Sequence, residues 1–359
     1  MLRRPDLSRF DPASAGDPDA SVFGVPCTRD EANLVLVPVP WEATTSYGRG
    51  TAQGPAAIRG ASPQLDLFDV ELAALGLGEP WRWGVHMLEE SSRVRAWNER
   101  ACARALPIIA AGGAIGDDAA LQSALTDVNT LSRELDRWVE AEVGALLDAG
   151  KRVGVVGGDH SVALGAIVAH AARNPGLGLL HVDAHADLRE AYEGFERSHA
   201  SVLRNALERA PALGTLVQVG IRDLSADEHA FAREHPRVRT FYDHALRRER
   251  HEGKSFAAQC RDIVAALPQR VYVTFDIDGL DPALCPGTGT PVPGGLGFGE
   301  ATALVLALVE AGKTVVGFDL VEVAPRAGDE WDGNVGARLL YKLCGAVLAS
   351  HGARDDAAG

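Results

Sequence analysis

The chain has 359 residues, of which 46% are hydrophobic and 23% are charged, and its formal net charge is −14. Such a composition is ordinary for a globular protein with a substantial buried core. The acidic balance argues against general binding to nucleic acids or anionic membranes, and it suits a small cationic ligand.

The chain organisation indicates one folded domain with short extensions. The first residues are rich in Pro, Asp, Ser and Ala and lack the apolar core of a signal peptide, and no apolar run reaches transmembrane length. The odd number of cysteines and the absence of a CxxC pair predict reduced thiols in the cytoplasm. We expect an N-terminal extension or arm at 1–32, one domain at 33–350 and a flexible tail at 351–359.

Strand-like segments alternate with helix-like segments along the chain. Most strand candidates are nearly continuous apolar runs, as expected when helices cover both faces of a parallel sheet. The alternation predicts an α/β fold, a single three-layer domain with a central, mostly parallel, doubly wound sheet. The predicted strands are 33–40, 152–158, 177–183, 215–221, 270–278 and 314–323. The predicted helices are 127–149, 161–173, 198–209, 225–234, 254–267, 298–312 and 334–349, with 105–125 as an excursion between helices.

Charged side chains cluster where four of the predicted strands end. Ligands bind outside the carboxyl ends of the strands in open parallel sheets, so we expect these side chains to meet in one crevice. Carboxylates crowded in a crevice repel one another and are costly to desolvate unless cations neutralise them. The residues concerned are Asp159, His160, Asp183, His185, Asp187, Asp276, Asp278 and Glu322.

The spacing of these residues suits metal coordination. Asp183, His185 and Asp187 alternate along the chain, so an extended segment can aim all three at one centre, and Asp276 and Asp278 share a side. Two imidazoles and four carboxylates are too many for one ion that keeps an open site, and they suit two ions with bridging carboxylates. This mixture favours Mn²⁺, Ni²⁺, Fe²⁺ or Zn²⁺ over Ca²⁺ or Mg²⁺. The predicted ligands are His160, Asp183, His185, Asp187, Asp276 and Asp278.

A simpler interpretation exists for each motif taken alone. GGDHS could be a turn in which Asp159 or Ser161 caps the following helix. An isolated D-x-H or D-x-D pattern is usually incidental. Coincidence of three such motifs at successive strand ends favours the metal site.

Several stretches resemble the ureohydrolase family, which comprises arginases, agmatinases, guanidinobutyrases, formiminoglutamases and their relatives. The resemblance covers residues 33–350 and implies the arginase-like fold, with this segment as the catalytic domain. The matching stretches are GGDHS (157–161), DAHAD (183–187), SHAS (198–201), TFDIDGLDPALCPGTGTPVPGGL (274–296), GFDLVEVAP (317–325) and the glycine-rich GRGTAQGPAAIR (48–59).

The resemblance implies how the predicted ligands divide between two metals, with Asp183 and Asp276 as bridges. The ligands of one ion would be His160, Asp183, Asp187 and Asp276. The ligands of the other would be Asp183, His185, Asp276 and Asp278.

The resemblance also implies three catalytic residues. Glu322 matches the glutamate that receives a guanidinium group, and it would hold the guanidinium carbon over the nucleophile. Two metals lower the pKa of a shared water, so that hydroxide is available at neutral pH. Asp187 would pass the proton of that water to the departing nitrogen, and His199 would exchange protons with solvent. Without the resemblance, His199 would be an ordinary helix-start histidine and Glu322 an ordinary acid at a strand end.

Features around the motifs bear on the substrate. Arginases usually carry asparagine two residues after the last aspartate of the DAHAD motif, but here Arg189 occupies that position, and SHAS lacks the glycine that follows the histidine in arginases and typical agmatinases. Both differences disfavour arginase itself. The stretches 192–207 and 330–344 resemble an agmatinase-like branch that is similar to the nickel-dependent guanidine hydrolases. This implies an agmatine-like substrate or free guanidine.

The substrate-binding residues are less constrained by the sequence. Tyr192 and Trp331 could narrow the pocket, or the Trp could stack on a cation, and both could instead be packing residues. Arg189 could bind a carboxylate tail or pair with Glu193. Further candidates for the rim are Thr44, Thr45 and Tyr47.

We therefore expect an amidinohydrolase with two divalent ions, Mn²⁺ or Ni²⁺, that releases urea together with an amine or ammonia. The alternatives are a formiminoglutamase-type or other C–N hydrolase on the same fold, or a non-catalytic subunit of a heteromeric ureohydrolase. A non-catalytic subunit predicts lost ligands, and none is lost. The resemblance also implies a homo-oligomer, a trimer or hexamer, with no nucleic-acid or membrane partner.

Overall fold

A computed structural model describes residues 2–14, 16–17 and 20–355 of the chain. Its central feature is a single sheet in which every pair of neighbouring strands is parallel. The strands are β1 (Leu34–Val39), β2 (Val85–Met87), β3 (Arg152–Gly157), β4 (Gly178–Val182), β5 (Leu216–Val219), β6 (Val238–Phe241), β7 (Arg270–Asp276) and β8 (Thr314–Val321). Their order is β2-β1-β3-β8-β7-β4-β5-β6. The α/β fold with a central parallel sheet is therefore confirmed.

Helices cover both faces of this sheet. Strands β1 and β4 are buried at every residue, and β7 and β8 at all but the first, which requires cover on both sides. One group of helices surrounds α4 and α5, and another surrounds α10 and α11. The helices are α1 (Gly54–Ala61), α2 (Val70–Ala74), α3 (Ser92–Ala110), α4 (Ala119–Asp148), α5 (Ala163–Arg173), α6 (Val202–Arg209), α7 (Ala226–Glu234), α8 (Asp243–His251), α9 (Phe256–Ala265), α10 (Phe298–Glu310) and α11 (Trp331–Ser350).

The structure adds elements that the apolar pattern did not predict. β2 and β6 lie at the two edges of the sheet and are too short and too polar to give a strand signal. The predicted excursion at 105–125 is mostly wrong, because α3 continues to Ala110 and α4 begins at Ala119. Only residues 111–118 separate the two helices.

Both ends of the described chain pack on the domain. Val22 and Phe23 are buried, and the Phe23 ring meets the edge of Tyr341 on α11, with 4.9 Å between ring centroids. Asp355 accepts a hydrogen bond of 2.6 Å from the amide of Gly78. Residues 356–359 of the predicted tail, and residues 1, 15, 18 and 19 of the predicted arm, lie outside the described residues.

Two findings concern membrane-spanning helices and disulfides. In the part of the chain that the structure describes, no helix is both long and apolar enough to cross a bilayer. The cysteines are all unpaired: Cys27, Cys102, Cys260, Cys285 and Cys344.

A buried histidine gives the fold a testable dependence on pH. His170 on α5 packs against Tyr272, with 4.9 Å between ring centroids, and lies so close to Gly317 that a Cβ there would be 2.3 Å from its Nε2. Burial lowers the pKa of His170 from 6.5 to about 4. Between these two pH values the unfolded chain binds a proton that the folded chain does not, so stability falls as the pH falls.

We therefore expect His170→Asn to change the pH dependence of unfolding. The contribution of the neutral histidine is complete above pH 6.5, and roughly 3 kcal/mol of it is lost by pH 4. The free energy of unfolding, measured in urea on chelator-treated protein, should show a wild-type advantage that is constant above pH 7 and shrinks by this amount towards pH 4. A difference between the two proteins that does not vary with pH would contradict this assignment.

Candidate metal centre and active site

The topology brings the predicted site residues together. β3, β8, β7 and β4 are consecutive neighbours in the middle of the sheet, so their carboxyl ends share one edge. The side chains that follow these strands lie in one crevice, and they are buried apart from His185, which is partly exposed. These residues are Asp159, His160, Asp183, His185, Asp187, Asp276, Asp278 and Glu322.

The first cluster is centred on His160. Its Nδ1 lies 3.1 Å from Oδ2 of Asp183, 3.1 Å from Oδ2 of Asp187 and 3.3 Å from Oδ2 of Asp276. Glu322 fixes the backbone of this residue, because the His160 amide donates a 2.8 Å hydrogen bond to Oε1 of Glu322. Three carboxylate oxygens thus surround one imidazole nitrogen, and this donor set suits a divalent transition-metal ion.

The second cluster shares a carboxylate with the first. Nδ1 of His185 lies 3.4 Å from Oδ1 of Asp183 and 3.1 Å from Oδ2 of Asp278. Asp183 therefore offers one oxygen to each cluster, which is the geometry of a bridge. Asp276 differs, since its Oδ2 faces His160 while its Oδ1 accepts the Asp278 amide at 2.8 Å. A bridging role for Asp276 rests on the resemblance alone.

His181 lies close enough to be mistaken for a ligand. Its Nε2 is 2.8 Å from Oδ2 of Asp183. The amide nitrogen of Gln218 donates to the carbonyl of Ala186 and lies 3.1 Å from Nδ1 of His181, while its oxygen accepts from Thr240. Nδ1 must then be the acceptor and Nε2 the protonated nitrogen. His181 is therefore a hydrogen-bond donor to Asp183.

The electrostatics of the crevice fit divalent cations. Burial, followed by repulsion from Asp183, raises the pKa of Asp187 to about 6. Burial raises the pKa of Asp276 well above its usual range, and the charges of Asp278 and Asp183 add to this effect. Burial alone would lower the pKa of His160, but hydrogen bonds to Asp183, Asp187 and Asp276 raise it well above 6.5. The buried carboxylates thus have too little positive charge around them, and two metal ions would supply it.

Glu322 is held in a conformation that few glutamates adopt. Its φ is 67°, in the left-handed region, at a cost of about 1–3 kcal/mol. Its amide donates to the carbonyl of Gly158 at 2.8 Å, and Gly289 packs so closely that a Cβ there would lie 2.7 Å from Oε2. Among the described residues Oε2 has no hydrogen-bond partner, and burial, with Asp159 nearby, raises the pKa of this carboxyl well above its usual range. One oxygen of Glu322 is thus free to receive a cationic donor.

His199 is connected to the floor of the site through Thr44. Oγ1 of Thr44 accepts the His199 amide at 3.2 Å, lies 3.3 Å from His199 Nδ1, and donates to Oδ2 of Asp159 at 3.3 Å. The edge of the His199 ring meets the face of Tyr192, with 5.8 Å between centroids. Burial, together with the nearby His185 and His160, lowers the pKa of His199 to about 3. The imidazole is therefore neutral near pH 7.

A cavity of about 390 Å³ opens above these clusters. Its wall includes three residues predicted to have catalytic or metal-binding roles, Asp187, His185 and His199. The complete lining is Ser46, Tyr47, His185, Asp187, Arg189, Tyr192, His199, Ala200, Asp223, Leu224, Glu228, Thr290, Pro291 and Val292.

Not every predicted substrate residue lines this cavity, and Glu322 is buried outside its lining. Tyr192 lines it, but Trp331 does not, because it begins α11, is half exposed and donates from Nε1 to the carbonyl of Leu284 at 2.8 Å. Thr45 is also outside the lining: it is buried, and its neighbours Ser46 and Tyr47 face the cavity instead.

The predicted partner of Arg189 requires correction. Its Nε lies 3.4 Å from Oε2 of Glu228, and its guanidinium group stacks over Tyr192, 4.9 Å from the ring centroid. Glu193 does not pair with Arg189, because its backbone turns into the left-handed region with a φ of 52°. A glutamate from α7, distant in sequence, takes its place.

Asp223 is a cavity residue that the sequence prediction missed. It follows β5, whose carboxyl end lies at the same edge of the sheet, and it forms an isolated bridge with His185. The available signal was the IRD stretch after the predicted strand 215–221. The sequence prediction also missed the cavity residues at 290–292, which lie in the loop after β7.

Comparison with known proteins defines the class. The sequence model of the arginase family matches residues 32–345. An N(1)-aminopropylagmatine ureohydrolase of Thermus thermophilus is 35% identical over 326 residues, covering 90% of this chain and 94% of the relative. An agmatinase of Proteus mirabilis is 33% identical over 324 residues, covering 89% of this chain and 86% of the relative. The crystal structure of the agmatine ureohydrolase of Thermoplasma volcanium matches with a TM-score of 0.67 and 25% identity, covering 96% and 97% of the two chains.

The parallel sheet is that of the arginase fold, and the chain belongs to the arginase family. It is an agmatinase-like ureohydrolase, a hydrolase that acts on amidino carbon–nitrogen bonds. A formiminoglutamase of Trypanosoma cruzi also shares the fold, with a TM-score of 0.65 and 19% identity. The fold alone therefore does not specify the substrate.

Proposed function

We propose that the protein is a binuclear metal-dependent amidinohydrolase that cleaves an agmatine-like guanidino compound to urea and an amine. The observation that carries the proposal is the position of Asp183, which offers one carboxylate oxygen to each of two His–Asp clusters. His160, Asp187 and Asp276 would hold one ion, and His185 and Asp278 the other. Mn²⁺ and Ni²⁺ both suit this donor set.

The side chains around the clusters supply binding and proton transfer. Divalent ions held there would lower the pKa of a water molecule and stabilise negative charge during hydrolysis. Oε2 of Glu322 accepts hydrogen bonds from the guanidinium group, because its Oε1 is already engaged by the His160 amide. Asp187 carries the proton towards the departing nitrogen. His199, neutral at the cavity wall, exchanges protons with solvent through the cavity.

The mouth of the cavity favours a substrate with a second positive charge. The Arg189 side chain is neutralised by Glu228 and stacked on Tyr192. Asp223 lines the same cavity, is exposed, and has no side-chain partner among the described residues. The residual charge at the mouth is therefore negative, which attracts an ammonium tail and repels a carboxylate tail. The Thermus relative, which is named for an aminopropylagmatine substrate, supports a cationic tail.

The experiment is a panel of urea-release assays on protein loaded separately with Mn²⁺ and with Ni²⁺. Agmatine and N(1)-aminopropylagmatine should be the preferred substrates, ahead of 4-guanidinobutyrate, arginine and free guanidine. Preferred turnover of free guanidine with Ni²⁺ would instead assign the protein to the guanidine hydrolases. Release of formamide or ammonia from a formimino compound, without urea from any guanidine, would overturn the proposal.

Asp223→Asn tests the tail site directly. We expect KM for agmatine to rise about fivefold, which corresponds to ~1 kcal/mol for an exposed ion pair, while kcat changes little. Free guanidine lacks the tail, so its kcat/KM should not respond. Asp227→Asn is the matched control, because Asp227 is an exposed aspartate on the first turn of α7 outside the cavity lining. An equal loss with agmatine and guanidine would show that Asp223 acts on the metal centre instead.

A further inference from the structure

A buried polar chain runs from His160 into the sheet, away from the cavity. Nε2 of His160 lies 2.8 Å from Oγ1 of Thr274, whose hydroxyl donates to Oδ1 of Asp319 over 2.8 Å. Thr274 on β7 and Asp319 on β8 are register partners, and both are fully buried. The chain thus places a carboxylate inside the sheet, behind the ligand cluster.

The position of Asp319 needs an explanation, because an acid in the middle of a buried strand is costly. Among the described residues it has no Lys or Arg partner, and its ion-pair neighbour is the imidazole of His160, at 3.9 Å. Its polar neighbours in the sheet are the hydroxyls of Thr274 and Tyr272. The hydrogen bonds of Asp319 therefore lead, through Thr274, to His160.

The hydrogen bonds from His160 through Thr274 to Asp319 determine which nitrogen of His160 carries the proton. The Thr274 hydroxyl has a single proton and donates it to Oδ1 of Asp319, so only its lone pairs remain for His160. Nε2 must then carry a proton, so Nδ1 is the nitrogen that remains to bind a metal ion. Nδ1 is the atom that three carboxylates face at 3.1–3.3 Å.

We propose that Thr274 and Asp319 are positioning residues that hold His160 in the tautomer able to bind metal through Nδ1. The inference rests on the proposed binuclear function and extends it to two residues that touch neither metal nor substrate. A metal-bound histidine generally donates its other N–H to a fixed acceptor, and loss of that acceptor lowers metal affinity about 10- to 100-fold. The effect is confined to the ion held by His160, because His185 contacts neither Thr274 nor Asp319.

Metal titration of a small set of variants tests the proposal. Thr274→Val removes the hydroxyl at nearly constant volume, and Thr274→Ser retains it. Thr302→Val is the matched control, because Thr302 is a buried threonine on α10 whose hydroxyl donates to the Gly299 carbonyl. Metal-free proteins are titrated calorimetrically with Mn²⁺ and with Ni²⁺, and the melting temperature of each metal-free protein is measured alongside.

We expect the wild type, Thr274→Ser and Thr302→Val to bind two ions per chain with similar affinities. In Thr274→Val one of the two sites should weaken about 10- to 100-fold. Asp319→Asn should weaken the same site, because the asparagine amide can donate to Thr274 and so reverse the direction of the hydrogen bonds that lead to His160. The positioning role alone would be overturned if Thr274→Val bound metal at both sites with wild-type affinity. It would also be overturned if both sites of Thr274→Val weakened equally and its melting temperature fell further than that of Thr302→Val. Failure of the wild type to bind either metal would overturn the proposed function as well.

Discussion

Replacing Asp276 with alanine is expected to abolish metal retention and urea release together. Its Oδ2 belongs to the His160 cluster, and its Oδ1 accepts the amide of Asp278, a predicted ligand in the second cluster. One substitution therefore removes a predicted ligand from one site and a hydrogen bond that orients a predicted ligand of the other. Because the proposed metal ions would supply the nucleophile at neutral pH, kcat/KM for agmatine should fall roughly 10³-fold or more. Metal content by mass spectrometry and urea release are measured on the same preparations.

Asp281→Ala is the matched control for Asp276→Ala. Asp281 is an aspartate of the following loop, and its side chain accepts the Ala283 amide without contacting either cluster. It should retain both metals and near wild-type turnover. Undiminished activity in Asp276→Ala would contradict the two-metal arrangement. Full metal content with no activity would assign Asp276 a role in the reaction rather than in metal binding.

Glu322→Gln is expected to separate metal binding from turnover. The amide keeps the shape of the side chain but lacks the charge that pairs with a guanidinium group at Oε2. Truncating a buried, hydrogen-bonded charge pair costs about 2–5 kcal/mol, so kcat/KM should fall roughly 10²- to 10³-fold. Both metals should remain, because Glu322 contacts His160 through the backbone amide and not through the ligand atom.

The control for this substitution is Glu330→Gln, an exposed glutamate at the start of α11. It should leave metal content and kcat/KM unchanged. Full turnover by Glu322→Gln would mean that the guanidinium group is held elsewhere in the cavity. Loss of the metals from Glu322→Gln would mean that the carboxylate supports the metal centre rather than the substrate.

The site residues were predictable where several independent signals coincided. The charged residues after β3, β4, β7 and β8 interrupt apolar runs, and the rule that sites form at the carboxyl ends of parallel strands places them at one edge. The structure brings the predicted ligands together there. The division of roles within the cluster required coordinates, since only the hydrogen bonds of Gln218 distinguish the donor His181 from the ligand His185.

The remaining features depend on contacts between distant parts of the chain. β6 is half exposed at a sheet edge, so its sequence VRTF carries little apolar signal. Helix α8, with the sequence DHALRRERH, buries only Asp243 and Leu246, which is too little for a periodic pattern. The pairing of Arg189 with Glu228 joins a loop to a helix, while local spacing favoured Glu193. Trp331 could not be placed inside or outside the cavity until the start of α11 was known.

The most direct test of the binuclear account is urea release from agmatine as metal-free protein receives increasing equivalents of Mn²⁺, and separately of Ni²⁺. We predict little activity with the first equivalent and a rise to full turnover at two equivalents per chain, because Asp183, whose two oxygens face different histidines, would bridge two ions at one reacting centre. Full turnover at one equivalent, or no urea when two ions are bound, would contradict the account.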